Sequence, residues 1–162
     1  MFQRTYGLSF IGLRYFNVFG PKQNPNNPYA AVIPLFCKAF IEGESPIING
    51  DGETSRDFTY VDNAVQANLL SLFTENDNAL NEVYNVACGE QTTLNEMVNL
   101  LNQISNLQLK PNYREERKGD VKHSLASIDK VVEKLNYVPE KKFEEGLNEV
   151  FNWYLKSKST QQ

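Results

Sequence analysis

The stretch INGDGETSRDFTYVDNA, residues 48–64, joins a glycine-rich turn to a short run of strand-forming residues. Gly50-Asp51-Gly52 offers residues that tolerate a positive φ, so the chain is predicted to reverse direction there. Strands are predicted on either side of this turn, over Ile47–Asn49 and Asp57–Tyr60. The stretch therefore predicts two short strands joined by a tight turn.

Arg56 is the residue of this stretch that the turn does not explain, because it places a permanent positive charge at the start of a strand. One interpretation pairs it with Asp57 or Asp62 in an ordinary surface salt bridge. The other gives it an anion to bind, since a guanidinium can donate two parallel hydrogen bonds to phosphate oxygens. Arg117 raises the same choice, with the two glutamates before it as local partners, and composition alone favours salt bridges for both arginines.

Composition limits what kind of anion site this chain can carry. The 162 residues are 41% hydrophobic and 22% charged, which predicts one globular unit with a buried core. The formal net charge is −4, which argues against a general nucleic-acid or membrane-surface binder. Any anion site must therefore be local.

The cysteines and the hydropathy pattern predict a cytoplasmic protein. Cys37 and Cys88 each lie in an apolar run, which favours buried free thiols of a reducing compartment, with a disulfide as the alternative. No apolar run approaches the roughly 18 residues of a membrane span, and the first residues do not resemble a signal peptide.

Outside the opening stretch, the apolar periodicity predicts an α+β chain with few strands for its length. Asp62 is predicted to N-cap a helix whose apolar face holds Val61, Val65, Leu69, Leu72 and Phe73. Thr93 and Glu96 form a capping-box pattern at the start of a further helix. Further strands are predicted at 9–15 and 82–87, an extended segment at 109–116, and helices at 30–42, 127–135 and 143–155.

Five separated segments resemble nucleotide-sugar epimerases of the extended short-chain dehydrogenase/reductase family. They are LRYFNVFGPKQ (13–23), YAAVIP (29–34), INGDGETSRDFTYVDNAV (48–65), YNVACGEQTTLNE (84–96) and REERKGDVKHSLASIDK (114–130). The likeness is greatest to UDP-N-acetylglucosamine 4-epimerases. It implies that residues 1–162 are the C-terminal, UDP-sugar-binding portion of a Rossmann-fold enzyme, with late Rossmann strands near 9–15 and 82–87 and without the N-terminal nucleotide-binding half.

The catalytic motifs of that family are not found in this sequence. A Gly-rich dinucleotide turn is missing, and the two Tyr-x-x-x-Lys strings fit poorly. Tyr137 to Lys141 contains Pro139, which breaks the required helix, and Tyr154 to Lys158 follows no strand that could supply a serine. We therefore expect this chain to be a piece of an enzyme that begins in the middle of a helix. We expect it to contain no catalytic residue and to bind NAD weakly when it is alone.

The resemblance assigns the diphosphate and nucleoside contacts to particular residues. It places Arg56 and Arg117 on the diphosphate and Asp120 on the ribose hydroxyls. The alternative for Asp120 is a structural role, capping the turn that follows Gly119. It also places a helix start beside the nucleotide and a strand beside the uracil, with core packing as the alternative. These residues are Ala31, Val32, Leu35, Phe36, Ile47, Ile48 and Asn49.

Four further polar residues are assigned to the cofactor and the sugar. By resemblance, Tyr15 faces the nicotinamide end of NAD, and Asn17 donates to a phosphate or a sugar hydroxyl. Gln23 and Ser124 lie near the C2 substituent, where an N-acetyl group offers an acceptor and a donor. His123 is the sole histidine of the sequence, and no acidic cluster accompanies it, so no metal site is predicted.

The implied activity is the interconversion of UDP-N-acetylglucosamine and UDP-N-acetylgalactosamine by a homodimeric enzyme. In this family, a tyrosine removes the proton of the 4-hydroxyl while NAD takes hydride from C4. The 4-keto sugar then turns, and hydride returns to its other face. The alternatives are a UDP-glucose 4-epimerase, a UDP-glucuronate decarboxylase, a nucleotide-sugar 4,6-dehydratase, or a non-catalytic nucleotide-sugar-binding module.

Overall fold

The computed structural model describes residues 2–24, 31–117 and 119–159, in which helices and strands are mixed along the chain. The helices are Phe2–Tyr6 (α1), Val32–Glu42 (α2), Val61–Leu72 (α3), Leu94–Ser105 (α4), Asp129–Leu135 (α5) and Phe143–Ser159 (α6). The strands are Ile11–Tyr15 (β1), Val18–Phe19 (β2), Ile47–Asn49 (β3), Ser55–Arg56 (β4), Thr59–Tyr60 (β5), Glu82–Val86 (β6), Thr92–Thr93 (β7) and Asn112–Arg114 (β8).

Strands far apart in sequence pair with one another. β1 lies parallel to β6, with Ile11 opposite Glu82 and Tyr15 opposite Val86. β2 lies parallel to β5 and β3 lies parallel to β8, whereas β4 and β7 are antiparallel. Parallel pairs need long connections, and α3 lies in the connection between β1 and β6. This pairing brings the ends of β1, β3, β4 and β8 into one region.

The predicted glycines adopt turn conformations, but the strands on either side do not pair with each other, since β3 pairs with β8 and β4 with β7. Gly50 and Gly52 have φ values of 86° and 81°, which residues with a Cβ adopt at a steric cost. A Cβ at Gly52 would lie 2.1 Å from Oδ1 of Asn95, so the turn also packs closely against α4. Of the strand predicted at Asp57–Tyr60 only β5 forms, since the buried residues Asp57 and Phe58 separate it from the two-residue strand β4.

The larger core lies between α2, α4 and α6. Phe40 of α2, Leu101 of α4 and Leu147 of α6 are each at most 2% exposed. The rings of Phe58 and Phe143 stack against each other with centroids 5.1 Å apart. The predicted capping box of α4 is confirmed, since Thr93 accepts from the amide of Glu96 and the Glu96 side chain accepts from the amide of Thr93.

A second core holds β6 against α5 and α3. Tyr84 and Val86 of β6 are fully buried beside Val131 of α5 and Ala67 of α3. Tyr137 is also buried here, and its hydroxyl donates to the carbonyl of Ala87 at 3.0 Å. That hydrogen bond gives Tyr137 a structural role.

Helix α3 differs from the prediction in its cap and in its buried face. It begins at Val61 with Tyr60 in the capping position, so Asp62 lies in the first turn and not at the N-cap. The residues that α3 buries are small or polar: Asn63, Ala64 and Ala67. The predicted apolar stripe is largely exposed, with Val65, Leu69, Leu72 and Phe73 exposed by 50, 51, 74 and 72%.

Both cysteines are present as thiols. Cys37 and Cys88 are free and buried, and burial raises the pKa of the Cys37 thiol to about 12. Within the described ranges, no helix has the length and apolar character needed to cross a membrane.

Asp57 is a buried carboxylate that links three segments of the chain. It is fully buried and accepts hydrogen bonds from the amides of Cys88 (2.9 Å), Gly89 (3.0 Å) and Ala126 (3.5 Å). Burial raises the pKa of Asp57 above its ordinary value, while these amide donors act in the opposite direction. The carboxylate is therefore used internally and is not the partner of Arg56.

Replacing Asp57 with asparagine should lower the free energy of unfolding by about 1–3 kcal/mol. The amide NH₂ of asparagine would face backbone N–H donors that have lost their acceptor, and a buried unsatisfied donor costs about that much. Chemical unfolding of D57N against the unmodified chain measures this cost. Asp62→Asn is the control, because Asp62 is exposed and its charge at the start of α3 contributes less than about 1 kcal/mol. Equal stability of D57N and D62N would contradict the structural role of Asp57.

Candidate functional site: a cavity lined by two arginines

One cavity of about 670 Å³ collects most of the residues that the sequence assigns to the nucleotide. It is bounded by the loop after β1, the start of α2, strands β3 and β4, and the segment that follows β8. The predicted residues that line it are Asn17, Ala31, Val32, Leu35, Phe36, Ile47, Asn49, Arg56, Arg117 and Asp120.

Arg56 is held at the cavity by backbone carbonyls. Its Nη1 donates to the carbonyl oxygens of Ser55 (2.9 Å) and Lys122 (3.4 Å), and its side chain is 18% exposed. Its Nη2 donates to Oδ1 of Asp120 at 2.7 Å. A guanidinium has five N–H donors, so these three bonds leave two donors of Arg56 that a ligand can use.

Asp120 is the ion-pair partner of Arg56, and neither Asp57 nor Asp62 takes that role. The Asp120 side chain is 47% exposed, so its second carboxylate oxygen can accept from a ligand while the first accepts from Arg56. The pair is separated by 64 residues in sequence. The local salt bridges considered for Arg56 are therefore not formed.

Arg117 reaches the same cavity through the pairing of β3 with β8. Asn49 lies opposite Arg114, and the amide of Gly50 donates to the carbonyl of Arg114 at 2.8 Å. The chain leaves β8 beside the end of β3 and brings Arg117 to the cavity three residues later. Arg117 makes no ion pair within the described part of the chain.

Asn17 follows β1 at the edge of the cavity in an unusual backbone conformation. Its φ is 37°, which is uncommon for a residue other than glycine, although asparagine tolerates it best. The side-chain amide donates to the carbonyl of Asp57 at 3.0 Å, and the Asn17 carbonyl accepts from the amide of Thr59 at 3.3 Å. These bonds fix Asn17 and leave its Oδ1 and one amide hydrogen for other partners.

Apolar residues that the sequence did not single out also line the cavity. Phe58 lies in the stretch 48–64 and stacks on Phe143, and Leu94 is the first residue of α4. Leu94 reaches the cavity because its amide donates to the carbonyl of Thr54 at 3.2 Å. Thr54 and Phe58 each lie two residues from Arg56, and this proximity in sequence was the signal that could have indicated them as lining residues. The lining residues that were missed are Val18, Phe19, Ile33, Thr54, Phe58 and Leu94.

Four residues assigned from the sequence do not line this cavity. Ile48 is fully buried in the core, and Tyr15 donates from its hydroxyl to Asn68 of α3 at 3.0 Å. Gln23 donates from its side chain to the carbonyl of Val18 at 3.2 Å. Ser124 is half-buried, and its amide donates to the carbonyl of Ser55 at 3.1 Å.

The two Tyr-x-x-x-Lys strings also lie away from a reactive arrangement. Tyr137 follows the end of α5 and is enclosed in the second core. The hydroxyl of Tyr154 donates to the carbonyl of Gln23. Burial raises the pKa of both tyrosines, that of Tyr154 to about 12. A tyrosine that must give up its proton needs a lowered pKa, so neither hydroxyl is arranged as a base.

The cavity is chemically suited to a ligand with an apolar or aromatic end and an anionic middle. Arg56 and Arg117 supply guanidinium groups, Asp120 supplies a carboxylate acceptor, and Phe58 and Leu94 are among the apolar lining residues. Its volume falls in the ordinary range of small-molecule sites, about 300–1,000 Å³. No group of three His, Cys, Asp or Glu side chains that could hold a metal ion occurs among the residues that the structure describes.

Known proteins resemble this chain over almost all of its length. A putative UDP-glucose 4-epimerase of Methanocaldococcus jannaschii is 35% identical over 153 residues, which are 94% of this chain and 48% of that protein. A UDP-glucose 4-epimerase of Thermotoga maritima, solved with UDP-glucose, is 40% identical with a TM-score of 0.89, over 96% of this chain and 49% of that one.

A second solved relative is a UDP-N-acetylglucosamine 4-epimerase of Methanobrevibacter ruminantium M1 in complex with UDP-N-acetylmuramic acid. It is 46% identical with a TM-score of 0.88, over 96% of this chain and 49% of that one. The chain spans about half the length of the curated relatives it matches. The sequence pattern of one family matches residues 1–87, more than half of the chain. The chain belongs to the NAD dependent epimerase/dehydratase family.

Proposed function

We propose that this cavity binds a UDP-sugar and that the chain is the substrate-binding part of an NAD-dependent UDP-sugar 4-epimerase. We call the protein in which it is joined to the other half of the family fold the complete enzyme. The observation that supports the proposal is that Arg56, Arg117 and Asp120 line one cavity together with apolar residues.

The diphosphate would lie against the two arginines. The two donors of Arg56 that remain beside its bonds to Ser55, Lys122 and Asp120 would donate to phosphate oxygens. Arg117 would take the second phosphate from the β8 side. Asp120 would keep one oxygen on Arg56 and accept a ribose hydroxyl with the other. The uracil would pack on the start of α2, beside Asn49.

This chain would contribute one edge of the NAD site. Tyr15 and Asn17 lie at the carboxyl end of β1, the end at which ligands bind to parallel α/β sheets. The hydrogen bond from Tyr15 to Asn68 holds that ring beside α3, and the bond from Asn17 to Asp57 holds the amide. Tyr15 and Asn17 would form the edge of a nicotinamide site, and the rest of the NAD site would come from the other half of the complete enzyme. NAD, when bound, supplies the hydride exchange at C4 of the sugar.

The sugar we propose is an N-acetylhexosamine, so that the complete enzyme interconverts UDP-N-acetylglucosamine and UDP-N-acetylgalactosamine as a homodimer. Gln23 has a buried Oε1 that receives no hydrogen bond from the described residues, which leaves an acceptor for an amide N–H. Ser124 follows Asp120 by four residues and can reach beyond the ribose. A site that hydrogen-bonds an amide discriminates against sugars without one, because its own polar groups are then left unpaired.

The test is turnover of the complete enzyme with UDP-N-acetylglucosamine and UDP-glucose. We expect the N-acetylated sugar to have the higher kcat/KM and to yield its C4 epimer. The double variant Gln23→Ala, Ser124→Ala should lose about tenfold of that preference while its affinity for UDP stays within about twofold, as for the loss of one or two polar contacts. Lys22→Ala is the matched control for the loop that carries Gln23.

Each other outcome has a definite meaning. Equal losses on both sugars in the double variant would show that Gln23 and Ser124 support their loops and do not select the sugar. Conversion of UDP-glucuronate to a pentose product, or loss of water from C6, would replace the epimerase with a decarboxylase or a dehydratase. UDP binding without turnover of any of these sugars would indicate a non-catalytic module.

A further inference from the structure

A hydrogen bond between Ser55 and His123 lies beside the cavity without forming part of its lining. Ser55 is 3% exposed, and its Oγ lies 2.9 Å from Nδ1 of His123. Ser55 immediately precedes Arg56, and His123 follows Asp120 by three residues. The bond therefore joins the two segments that carry the Arg56–Asp120 pair.

The segment 120–124 lies beside β4 as an additional extended segment. The amide of Ser55 donates to the carbonyl of Lys122 at 2.9 Å, and the amide of Ser124 donates to the carbonyl of Ser55 at 3.1 Å. Ser55 and His123 face each other as an isolated parallel bridge. Two backbone hydrogen bonds by themselves specify strand register weakly.

Side-chain packing does little to fix this segment. Asp120 and Lys122 are exposed, Val121 is 60% exposed, and Ala126 is the first fully buried residue that follows. Gly119, directly before Asp120, has a φ of 83°, and no atom lies within 4 Å of the place where a Cβ would be. The Asp120 amide donates to the carbonyl of Arg117 at 3.3 Å, and its carboxylate accepts from Arg56. The remaining contacts that position Asp120 come from its C-terminal side, where His123 lies.

We propose that Ser55 and His123 form a positioning pair that sets Asp120 at the distance from Arg56 that a ribose diphosphate requires. This inference rests on the proposed binding of UDP in the cavity. The bond forms with either neutral imidazole, because the Ser55 hydroxyl can donate to a bare Nδ1 or accept from an Nδ1–H. Neither residue touches the nucleotide. Both act through the carboxylate of Asp120 and the backbone of β4.

Calorimetric titration of this chain with UDP tests the pair. His123→Ala and His123→Gln should each weaken UDP binding by about 3- to 10-fold, the value of one net hydrogen bond. His123→Asn should restore the affinity to within about twofold, because its amide places a polar atom where Nδ1 lies and glutamine places it further out. The thermal unfolding midpoints of the three variants should stay within about 4 °C of the unmodified chain, the shift that one lost hydrogen bond causes, which separates positioning from loss of fold.

A double-variant cycle isolates the bond itself. Ser55→Ala should weaken UDP binding as His123→Ala does, and the double variant should be no weaker than either single variant. Val121→Ala, an exposed substitution in the same segment, should bind UDP as the unmodified chain does. Wild-type affinity in His123→Ala, or additive losses in the double variant, would overturn the proposal.

A measurement without ligand separates this inference from the proposed function. The Ser124 amide is bonded to Ser55, so its hydrogen exchange should be faster in His123→Ala and unchanged in His123→Asn. If the unmodified chain failed to bind UDP, the proposed function would fall while this exchange result still decided the pair. Unchanged exchange of Ser124 in His123→Ala would overturn the positioning role in either case.

Discussion

The chain studied alone should neither retain NAD through purification nor interconvert UDP-sugars. The reason is chemical: its sequence has no Gly-rich dinucleotide turn, and both Tyr-x-x-x-Lys tyrosines donate to backbone carbonyls. Burial raises the pKa of Tyr137 and Tyr154, which is opposite to what a catalytic tyrosine needs. The expected effect is complete loss of epimerase activity relative to the complete enzyme.

Release of bound nucleotide by denaturation, followed by chromatography, measures the NAD content of the purified chain. The complete enzyme, treated in the same way, is the positive control. Tyr137→Phe in the complete enzyme should keep kcat within about twofold and cost about 1 kcal/mol of stability, the value of one net hydrogen bond. NAD present at one molecule per chain, or a Tyr137→Phe variant without activity, would show that this chain holds catalytic machinery after all.

Local structure was the part of this fold that the sequence predicted well. The α4 capping box depends on Thr93 and Glu96 alone, which lie three residues apart, so the pattern determines the geometry. The Gly50–Gly52 turn depends on backbone freedom, which is also local. The shortening of the predicted 57–60 strand to Thr59–Tyr60 was not predictable in this way, because Asp57 accepts from amides at Cys88, Gly89 and Ala126.

Helix α3 shows the limit of reading burial from periodicity. The periodicity predicts that its apolar stripe is buried. Within the described chain, the helix instead packs through Ala64 and Ala67, and Leu72 and Phe73 are exposed. Periodicity identifies an apolar face without identifying what lies against it. Small residues allow close approach to the neighbouring strands, and that information is not contained in a hydrophobic pattern.

The prediction of the candidate site depended more on the resemblance to a known family than on the chemistry of the individual residues. Composition favoured local salt bridges for Arg56, whereas the structure pairs it with Asp120 across 64 residues. Contacts across such separations are set by strand pairing, here β3 with β8 and β4 with β7. A family resemblance that extends over several segments indicates which distant residues meet. The spacing of residues within one segment does not.

Replacing Arg56 with alanine should weaken UDP binding by about 10- to 150-fold, that is by about 1.5–3 kcal/mol, while slowing the chemistry of the bound sugar far less. Arg56 is 18% exposed and fixed by two carbonyls, so its hydrogen bonds to phosphate cost little ordering. Its loss also leaves the Asp120 carboxylate unpaired beside the diphosphate. Arg56→Lys should bind with intermediate affinity, because lysine keeps the charge without the planar fork.

Arg117→Ala should act in the same direction from a more exposed position, so its loss should fall at the lower end of that range. Arg114→Ala is the matched control, since Arg114 lies on β8, three residues earlier, and does not line the cavity. Calorimetry with UDP and kinetics of the complete enzyme separate binding from chemistry for each variant. If Arg56→Ala or Arg117→Ala bound UDP as tightly as Arg114→Ala, that arginine would be a surface charge. If both lost kcat at unchanged KM, they would act on the reacting sugar and not on the diphosphate.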